Sequence, residues 1–457
     1  MSTASTRALS TATAAGPATR AGAASGGGVA RSLAQLLASN ALVSLTGLLC
    51  LPVLFRNLGP ASYGQLSLFL LLLGLLGSLD VSRPTLVREL SRDGDGRALG
   101  ELLPLVGLSQ RLLVPLALAV GWLVFGPLEG LALGLGTWLF VAASGPYASL
   151  AAAQRVGVAV SVRNVAWVVA FVVAAALSFR ELPAHAYAWP FVVANGVILL
   201  VNRRLSGGVG SAREQRPSVA VWQRFRGRSL DILGLSVATA VVVSADKLLL
   251  EGSASAETFG HYAAQYDLAT RLHVLSTALG TVLLPALSQR VAKDGFERAA
   301  ALFVRQAGWI ALLFFCGLAG LLLFSDEVLA LVLGDAALEA ENVYPLLLVG
   351  IFFALFGHLI TPWQRACGDF RTHRRIYTLA ALLMLVVGVV TIPRFGPLGA
   401  VLTYSTARCA DVLLVASEVR RIPRAILPSS RVALLAGMAL ALLALGLWRF
   451  AAHGGAA

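Results

Sequence analysis

Residues 33–81 decide the fold: they read LAQLLASNALVSLTGLLCLPVLF (33–55), RNLGPASY (56–63) and GQLSLFLLLLGLLGSLDV (64–81). Two apolar runs flank a short turn that contains polar residues, glycine and proline. Because a helix rises about 1.5 Å per residue, about twenty apolar residues cross the roughly 30 Å of hydrocarbon in a bilayer. The stretch therefore predicts two membrane-spanning helices joined by a hairpin.

The rest of the 457 residues repeats this pattern. Hydrophobic residues make up 57% of the chain and charged residues 13%, which is about half the roughly 25% of a soluble domain. A soluble enzyme, a nucleic-acid-binding domain and a disulfide scaffold are excluded, because too few polar residues remain to cover their surfaces. We predict an all-α, multi-pass membrane protein with thirteen spans, at about 33–55, 64–81, 100–125, 129–151, 157–179, 185–202, 229–250, 258–286, 302–324, 343–363, 376–393, 397–418 and 431–450.

The basic residues set the predicted orientation. With the N-terminus inside, the inside segments carry 27 of the 36 lysines and arginines, and the outside segments carry four. Cytoplasmic loops are enriched in Lys and Arg. We therefore expect a cytoplasmic N-terminus and a location in the plasma (inner) membrane of a bacterium. The asymmetry also explains most of the net charge of +13 without nucleic acid as a partner.

The spans divide into two lobes. We predict a disordered cytoplasmic tail (1–31), an N-terminal six-helix lobe (32–203), a basic cytoplasmic linker (204–228) and a C-terminal six-helix lobe (229–420). Residues 421–457 would add one further helix and a short tail. Since each lobe holds an even number of spans, the lobes would be related as a parallel repeat about an axis along the membrane normal.

Two short similarities support that repeat. Tyr63-Gly64 opens the second span and Phe259-Gly260 the eighth, at an offset of 196 residues. Residues 92–94 (RDG) and 293–295 (KDG) follow those spans, at an offset of 201. The near-equal offsets favour a repeat of about 200 residues.

Motifs of soluble catalysis are not found in the sequence. There is no P-loop and no serine nucleophile elbow. The four cysteines have no paired spacing, and the six histidines form no cluster with Cys or Asp. We therefore expect a protein that is not an enzyme, with no metal and no cofactor.

Several short runs carry a family resemblance. They are Asn40, LFRNLGPASYG (54–64), DVSRP (80–84) and RE (88–89), and later DKLLL (246–250), FGHY (259–262) and LPALS (284–288). Together they resemble the polysaccharide-transporter branch of the MOP exporter superfamily, the O-antigen-type flippases of lipid-linked oligosaccharides. The chain departs from the family at Ser82, where Gly is usual, and in having thirteen spans where twelve or fourteen are commoner.

The resemblance implies a function. The chain would move a polyprenyl-pyrophosphate-linked oligosaccharide from the cytoplasmic to the outer leaflet, for O-antigen, capsule or exopolysaccharide synthesis. The lobes would rock around a central site and give alternating access. The implied partners, besides the lipid bilayer, are a polysaccharide polymerase and chain-length machinery.

Charged and polar residues inside or beside spans are the candidate site. A charge in hydrocarbon is costly and usually faces a cavity or a partner. Because guanidinium groups bind phosphate oxygens in a bidentate way, a pyrophosphate carrier needs a cationic cavity. The residues predicted to line this cavity are Arg111, Arg271 and Arg408, and then Asn40, Asp80 and Arg83.

Two aspartates accompany these arginines. Asp267 lies four residues before Arg271, and Asp411 lies three residues after Arg408, so each pair shares a helical face. They are candidates for coupling transport to a cation. The alternative is that they are structural ion pairs that hold helices in register.

Two other functions fit the sequence less well. A multidrug/cation antiporter of the same superfamily would need an acidic or neutral cavity, whereas five basic residues lie within spans. A membrane glycan polymerase or ligase would place a large outside loop near its active site. The longest outside loop here, 325–342, has eighteen residues.

Overall fold

A computed structural model describes residues 26–80, 82–83, 86, 97–152, 155–180, 182–207, 219–334, 341–367 and 370–454. These residues are helical and contain no strand, so the predicted all-α fold is confirmed. The helices are α1 (Gly26–Ser78), α2 (Arg97–Phe125), α3 (Pro127–Ala142), α4 (Ser144–Ala152), α5 (Val156–Leu177), α6 (Trp189–Leu205), α7 (Val219–Glu251), α8 (Ala256–Leu323), α9 (Ser325–Leu333), α10 (Tyr344–Cys367), α11 (Phe370–Arg421) and α12 (Ser429–Gly454), with a 3₁₀ turn at Ala184–Tyr187.

Glycines with a positive φ break three of the long helices. The φ values are 72° at Gly59, 82° at Gly295 and 51° at Gly396, a region that glycine enters without steric cost. Ten stretches of the described residues are long and apolar enough to cross a membrane. Two of these contain Gly59 or Gly396 and hold two spans each. Counting these two twice gives twelve spans among the described residues, and the predicted span 258–286, although helical within α8, is not among the ten stretches.

Contacts between the segments that connect the helices show which connections lie at the same end of the bundle. At one end, Asn57 Nδ2 donates to Ser178 Oγ at 3.0 Å. At the other, Arg155 Nη1 donates to the carbonyl of Leu205 at 3.4 Å. We call the end with Arg155 the basic end and the end with Asn57 the opposite end. Successive connections along the chain thus alternate between the two ends, in agreement with the predicted order of spans.

The two halves of the chain meet along α1 and α8. Gly64 and Gly260 lie at this crossing, and a methyl group on Gly64 would lie 3.0 Å from the Cα of Gly260. These are the two positions that the predicted repeat makes equivalent. Equivalent residues touch only beside the axis that relates the lobes, so the contact agrees with a parallel two-lobed arrangement.

Two helices begin earlier than the predicted boundaries. α1 begins at Gly26, inside the predicted 1–31 tail, and α7 begins at Val219, inside the predicted 204–228 linker. Hydropathy marks the apolar part of a helix, and a helix can continue beyond that part. The remainder of the predicted tail, 1–25, and the middle of the linker, 208–218, lie outside the described residues.

Candidate substrate site between the lobes

A buried polar cluster lies where α1, α7 and α8 meet. Asp267 Oδ1 accepts a hydrogen bond from Lys247 Nζ at 2.7 Å. Asp267 Oδ2 accepts from Tyr63 Oη at 2.9 Å and from Ser67 Oγ at 2.8 Å. Lys247 is 2% exposed and also donates to Ser67 Oγ at 3.2 Å. These four residues and Arg271 form what we call the Asp267 cluster, and it joins the first lobe to the second.

Helical spacing brings these side chains to the interface. Tyr63 and Ser67 lie four residues apart in α1, as do Asp267 and Arg271 in α8, so each pair occupies one helical face. The two faces confront each other across the contact between the lobes. Within this arrangement Asp267 pairs with Lys247 rather than with Arg271, its neighbour on the same helix.

Arg271 reaches across to the first lobe. A methyl group on Gly47 would lie 2.5 Å from Arg271 Nη1, so the guanidinium needs the space that glycine leaves. Its central carbon lies 5.1 Å from the ring centre of Phe171, within the range of a cation–π contact. Its Nε is buried without a hydrogen-bond partner, and no carboxylate of the described residues forms an ion pair with it. Arg271 is therefore a cation with unused capacity for an anion.

The cavity at this cluster is closed in the present conformation. It has a volume of about 20 Å³ and is lined by residues that include Gly47, Phe171, Asp267 and Arg271. That is room for about one water molecule. A sugar chain could enter only after the lobes separate.

Arg408 lies deeper in the second lobe. It is 8% exposed, and its Nη1 lies 3.0 Å from Asp411 Oδ2. Its central carbon is 4.9 Å from the ring centre of Tyr404, and Asp411 also accepts from Tyr377 Oη at 2.9 Å. The ion pair predicted for α11 is present, and it lies among helices of the second lobe.

Aromatic rings connect this ion pair to the Asp267 cluster. Lys247 Nζ lies 4.3 Å from the ring centre of Tyr266. The rings of Tyr266 and Tyr404 meet edge to face, with their centres 5.6 Å apart. The two ion pairs of the second lobe, Lys247–Asp267 and Arg408–Asp411, therefore belong to one continuous polar and aromatic chain, which ends at the interface between the lobes.

Two of the other candidates hold helices together. Asn40 Oδ1 accepts from Asn164 Nδ2 at 2.9 Å, which ties α1 to α5. Asp80 accepts from Ser82 N at 3.0 Å and from Ser144 Oγ at 2.6 Å. It thus caps the helical residues 82–83 that follow α1 and links them to α4.

The remaining two arginines lie away from the cluster. Arg111 is exposed on α2, on the face opposite the buried residues Leu113 and Ala117. No described residue forms a hydrogen bond or ion pair with it. Arg83 contacts the ring of Tyr147 of α4, inside the first lobe. A single cavity lined by all six predicted residues is therefore not formed in this conformation.

Sequence reasoning missed several members of this network. Tyr63 was recognised only as part of the turn motif, and Ser67, Tyr266 and Tyr404 were not recognised. A usable signal was present, because Tyr63 and Ser67 are polar groups four residues apart in an otherwise apolar span. Lys247 is one of the five basic residues that the sequence analysis places within spans, and its partner Asp267 is not predicted.

The structure is similar to solved membrane transporters. The lipid II flippase MurJ in an inward closed conformation matches with a TM-score of 0.64 and 12% identity, over 92% of this chain and 97% of that one. A MOP superfamily transporter from Pyrococcus furiosus matches with a TM-score of 0.57 and 14% identity, over 93% and 96%. A MATE transporter in a bent conformation matches with a TM-score of 0.53 and 14% identity, over 90% and 96%.

No protein-family model matches the sequence, and no curated protein matches it. The structural likeness establishes the fold: the chain is a multi-pass membrane protein with the two-lobed architecture of the MOP superfamily transporters. Within that superfamily, the neighbours include a lipid flippase as well as MATE transporters. The predicted fold is confirmed, whereas membership of the MOP exporter superfamily and of its polysaccharide branch stays a prediction.

Proposed function

We propose that this protein is a flippase that moves a polyprenyl-pyrophosphate-linked oligosaccharide across the bacterial inner membrane, from the cytoplasmic to the outer leaflet. The observation that carries the proposal is Arg271. It is a cation at the interface between the lobes, it has no carboxylate partner among the described residues, and it lies in a fold shared with a lipid II flippase. A pyrophosphate is the dense anion that such a guanidinium binds.

Lys247 extends this binding site. An incoming phosphate oxygen would compete with Asp267 for Lys247 Nζ, because both are anionic acceptors. Breaking the Lys247–Asp267 bond would loosen the link between α1 and the second lobe, since Asp267 also holds Tyr63 and Ser67. Substrate binding and lobe separation would then be one event, which is what alternating access requires.

The opposite end of the bundle is held closed by a separate contact. Arg56, from the first lobe, donates to the carbonyls of Ala330 at 3.3 Å and Leu331 at 2.7 Å, at the C-terminal end of α9. The last carbonyls of a helix carry partial negative charge, so a guanidinium is favoured there. With the basic end in the cytoplasm, this contact would lie on the outside and would open when the substrate leaves.

In this proposal the released lipid-linked units would pass to the polysaccharide polymerase and chain-length machinery. Asp267 and Asp411 remain proposed coupling residues, because each is a carboxylate in direct contact with a cationic side chain of the same buried network. Protonation or cation binding at either would release its Lys or Arg partner. Which glycan the protein carries would depend on the shape of the cavity once the lobes have separated.

A multidrug/cation antiporter is the second candidate, and one observation favours it. Among the described residues, the second lobe buries three carboxylates, those of Asp246, Asp411 and Glu418, and partly buries that of Asp267. Asp246 is fully buried, accepts from Tyr262 Oη at 2.6 Å, and has one oxygen without a partner. A buried carboxylate with a free oxygen is suited to a proton or metal cation, as a cation-coupled exporter needs.

A binding experiment separates the two candidates. Purified protein in nanodiscs is titrated with a polyprenyl-pyrophosphate oligosaccharide, with the same lipid lacking the pyrophosphate, and with a cationic dye. We expect Arg271→Ala to weaken pyrophosphate binding about 10- to 150-fold, because hydrogen bonds to a charged group contribute about 1.5–3 kcal/mol. Arg271→Lys keeps the charge and should retain part of the affinity.

The control variant is Arg111→Ala, which removes an exposed arginine far from the Asp267 cluster. It should bind normally, because Arg111 lies outside the proposed site. Equal affinity of wild type and Arg271→Ala for the pyrophosphate would refute the proposal. Tight dye binding that is lost in Asp246→Asn would favour the antiporter.

A further inference from the structure

A second cationic cavity lies inside the first lobe, towards its basic end and apart from the Asp267 cluster. It is lined by Arg83, Tyr147 of α4, Arg163 of α5 and Asn202 of α6, among others, and has a volume of about 10 Å³. The central carbon of Arg83 lies 3.7 Å from the ring centre of Tyr147. The Nε and Nη2 atoms of Arg163 reach the Oδ1 of its neighbour Asn164 at 3.4 Å each, which is long for a hydrogen bond.

No carboxylate of the described residues lines this cavity. Guanidinium groups stay protonated at any physiological pH, so Arg83 and Arg163 direct two like charges toward one small space. An uncompensated charge inside a membrane protein is costly. Lys247, by contrast, is 2% exposed and has Asp267 as its counter-charge, whereas Arg83 and Arg163 are partly exposed.

The second lobe shows how a carboxylate fills a comparable position. Glu418 lies three residues before the end of α11, as Asn202 lies three before the end of α6. Glu418 is 2% exposed and accepts from Trp363 Nε1 at 2.9 Å, Gln364 Nε2 at 3.0 Å and Arg421 Nη1 at 3.2 Å. Asn202 is 1% exposed, and its Oδ1 has no hydrogen-bond partner. The first lobe thus has an unpaired amide where the second has a carboxylate.

We infer that the cavity formed by Arg83, Arg163 and Asn202 binds a phosphate-type oxyanion, which supplies the negative charge that no carboxylate of the described residues supplies at this cavity. Planar guanidinium groups bind such oxygens in a bidentate way, and the amide of Asn202 can turn its NH₂ toward them. A volume of about 10 Å³ admits one oxygen. The rest of the group lies at the mouth of the cavity, where Arg83 is partly exposed.

Two sources share this chemistry. One is the headgroup of an anionic phospholipid at the bilayer surface, and the other is inorganic phosphate from solution. The site is separate from the proposed substrate site at Arg271, so its existence does not depend on the transport function. An anion here would hold α4, α5 and α6 together at the basic end of the first lobe.

The test is the melting temperature of the full-length protein. In lipid-free detergent it is measured against inorganic phosphate, with ionic strength held constant by chloride. In nanodiscs it is measured in phosphatidylcholine with and without phosphatidylglycerol. We expect the melting temperature to rise to a plateau with increasing anion in at least one of these two experiments, because a ligand that binds only the folded state stabilises it. A rise in detergent would identify inorganic phosphate from solution as the ligand. A rise only with phosphatidylglycerol would identify the lipid headgroup as the ligand.

Three variants make the result specific. Arg163→Gln removes one cation and should lose the rise. Asn202→Glu supplies a carboxylate, as Glu418 does in the second lobe, so it should lose the rise and melt no lower than anion-free wild type. Arg203→Gln, an exposed neighbour on α6, should keep the rise. An absence of any rise in wild type, or an equal rise in Asn202→Glu, would overturn the inference, even if Arg163→Gln does not fold.

Discussion

Replacing Gly64 by alanine should push the two lobes apart at the opposite end of the bundle. The new Cβ would lie 3.0 Å from both the Cα of Gly260 and Phe259 Cδ1. Carbon atoms in contact normally lie about 3.5–4.0 Å apart, so the helices would have to separate by about 0.5–1 Å. Overpacking of this kind costs about 1–3 kcal/mol.

That cost falls on the closed arrangement alone, because the contact is absent once the lobes part. We therefore expect Gly64→Ala to lower the population of the closed state about 5- to 150-fold relative to the open one. Gly260→Ala should do more, since its Cβ would overlap the carbonyl oxygen of Pro60. Gly74→Ala is the matched control on the same helix, because nothing lies within 4 Å of its added Cβ.

The assay is a distance distribution between spin labels at the opposite end, one on each lobe. Arg180 of the first lobe and Gly252 of the second are both exposed there, and the four native cysteines would be replaced first. Longer distances in Gly64→Ala and Gly260→Ala, with Gly74→Ala like wild type, are the expected result. Unchanged distributions in both variants, in folded protein, would refute the idea that this contact closes the opposite end.

Three further predictions concern stability and gating. Lys247→Met should lower the free energy of unfolding by about 3 kcal/mol, the lower end of the range for a buried pair, because Asp267 loses its ion-pair partner but is partly exposed and keeps Arg271 nearby. Adding Asp267→Asn should restore most of the loss in a chemical-unfolding series, and an additive further loss would argue against the pair. Arg56→Ala should increase the rate of labelling of a cysteine introduced at the opposite end, because the carbonyls of α9 lose their guanidinium donor. Unchanged labelling rates would show that Arg56 does not hold this end closed. Asp80→Ala should lower unfolding free energy by about 1–2 kcal/mol, the cost of losing a helix cap. The Asp80→Ala variant should bind substrate with normal affinity. Loss of affinity in folded protein would show that Asp80 belongs to the substrate site.

The membrane fold could be predicted from sequence because its cause is local. Each apolar run is long enough to cross the bilayer, and each run is bounded by polar or glycine-containing turns. Gly59 illustrates this: the Gly-Pro pair between two apolar runs predicts a break, and the structure has one there with positive φ. Gly64 and Gly260 are equivalent positions of the repeat that the sequence suggests, and the structure shows that they lie against each other.

The partners inside the site could not be predicted, because they depend on how the helices pack. Asp267 and Arg271 share a helical face, which favours an ion pair between them. Lys247, twenty residues earlier in the chain, takes Asp267 instead, since α7 and α8 lie side by side there. Arg163 falls within the predicted span 157–179, where the sequence analysis gives it no role, and in α5 it lines a cavity. Helical spacing predicts which residues share a face and does not predict what that face meets.

The most direct test of the proposed function is flipping of a lipid-linked oligosaccharide in reconstituted vesicles. The substrate is placed in both leaflets, and an impermeant glycosidase then removes every glycan exposed on the outside. If the protein is a flippase, wild type should expose the inner pool to the enzyme, and Arg271→Ala should leave about half protected, as protein-free vesicles do. Equal exposure with wild type and Arg271→Ala would contradict the role of Arg271. Protection of the inner pool by folded wild type, under any imposed ion gradient, would contradict the flippase proposal itself.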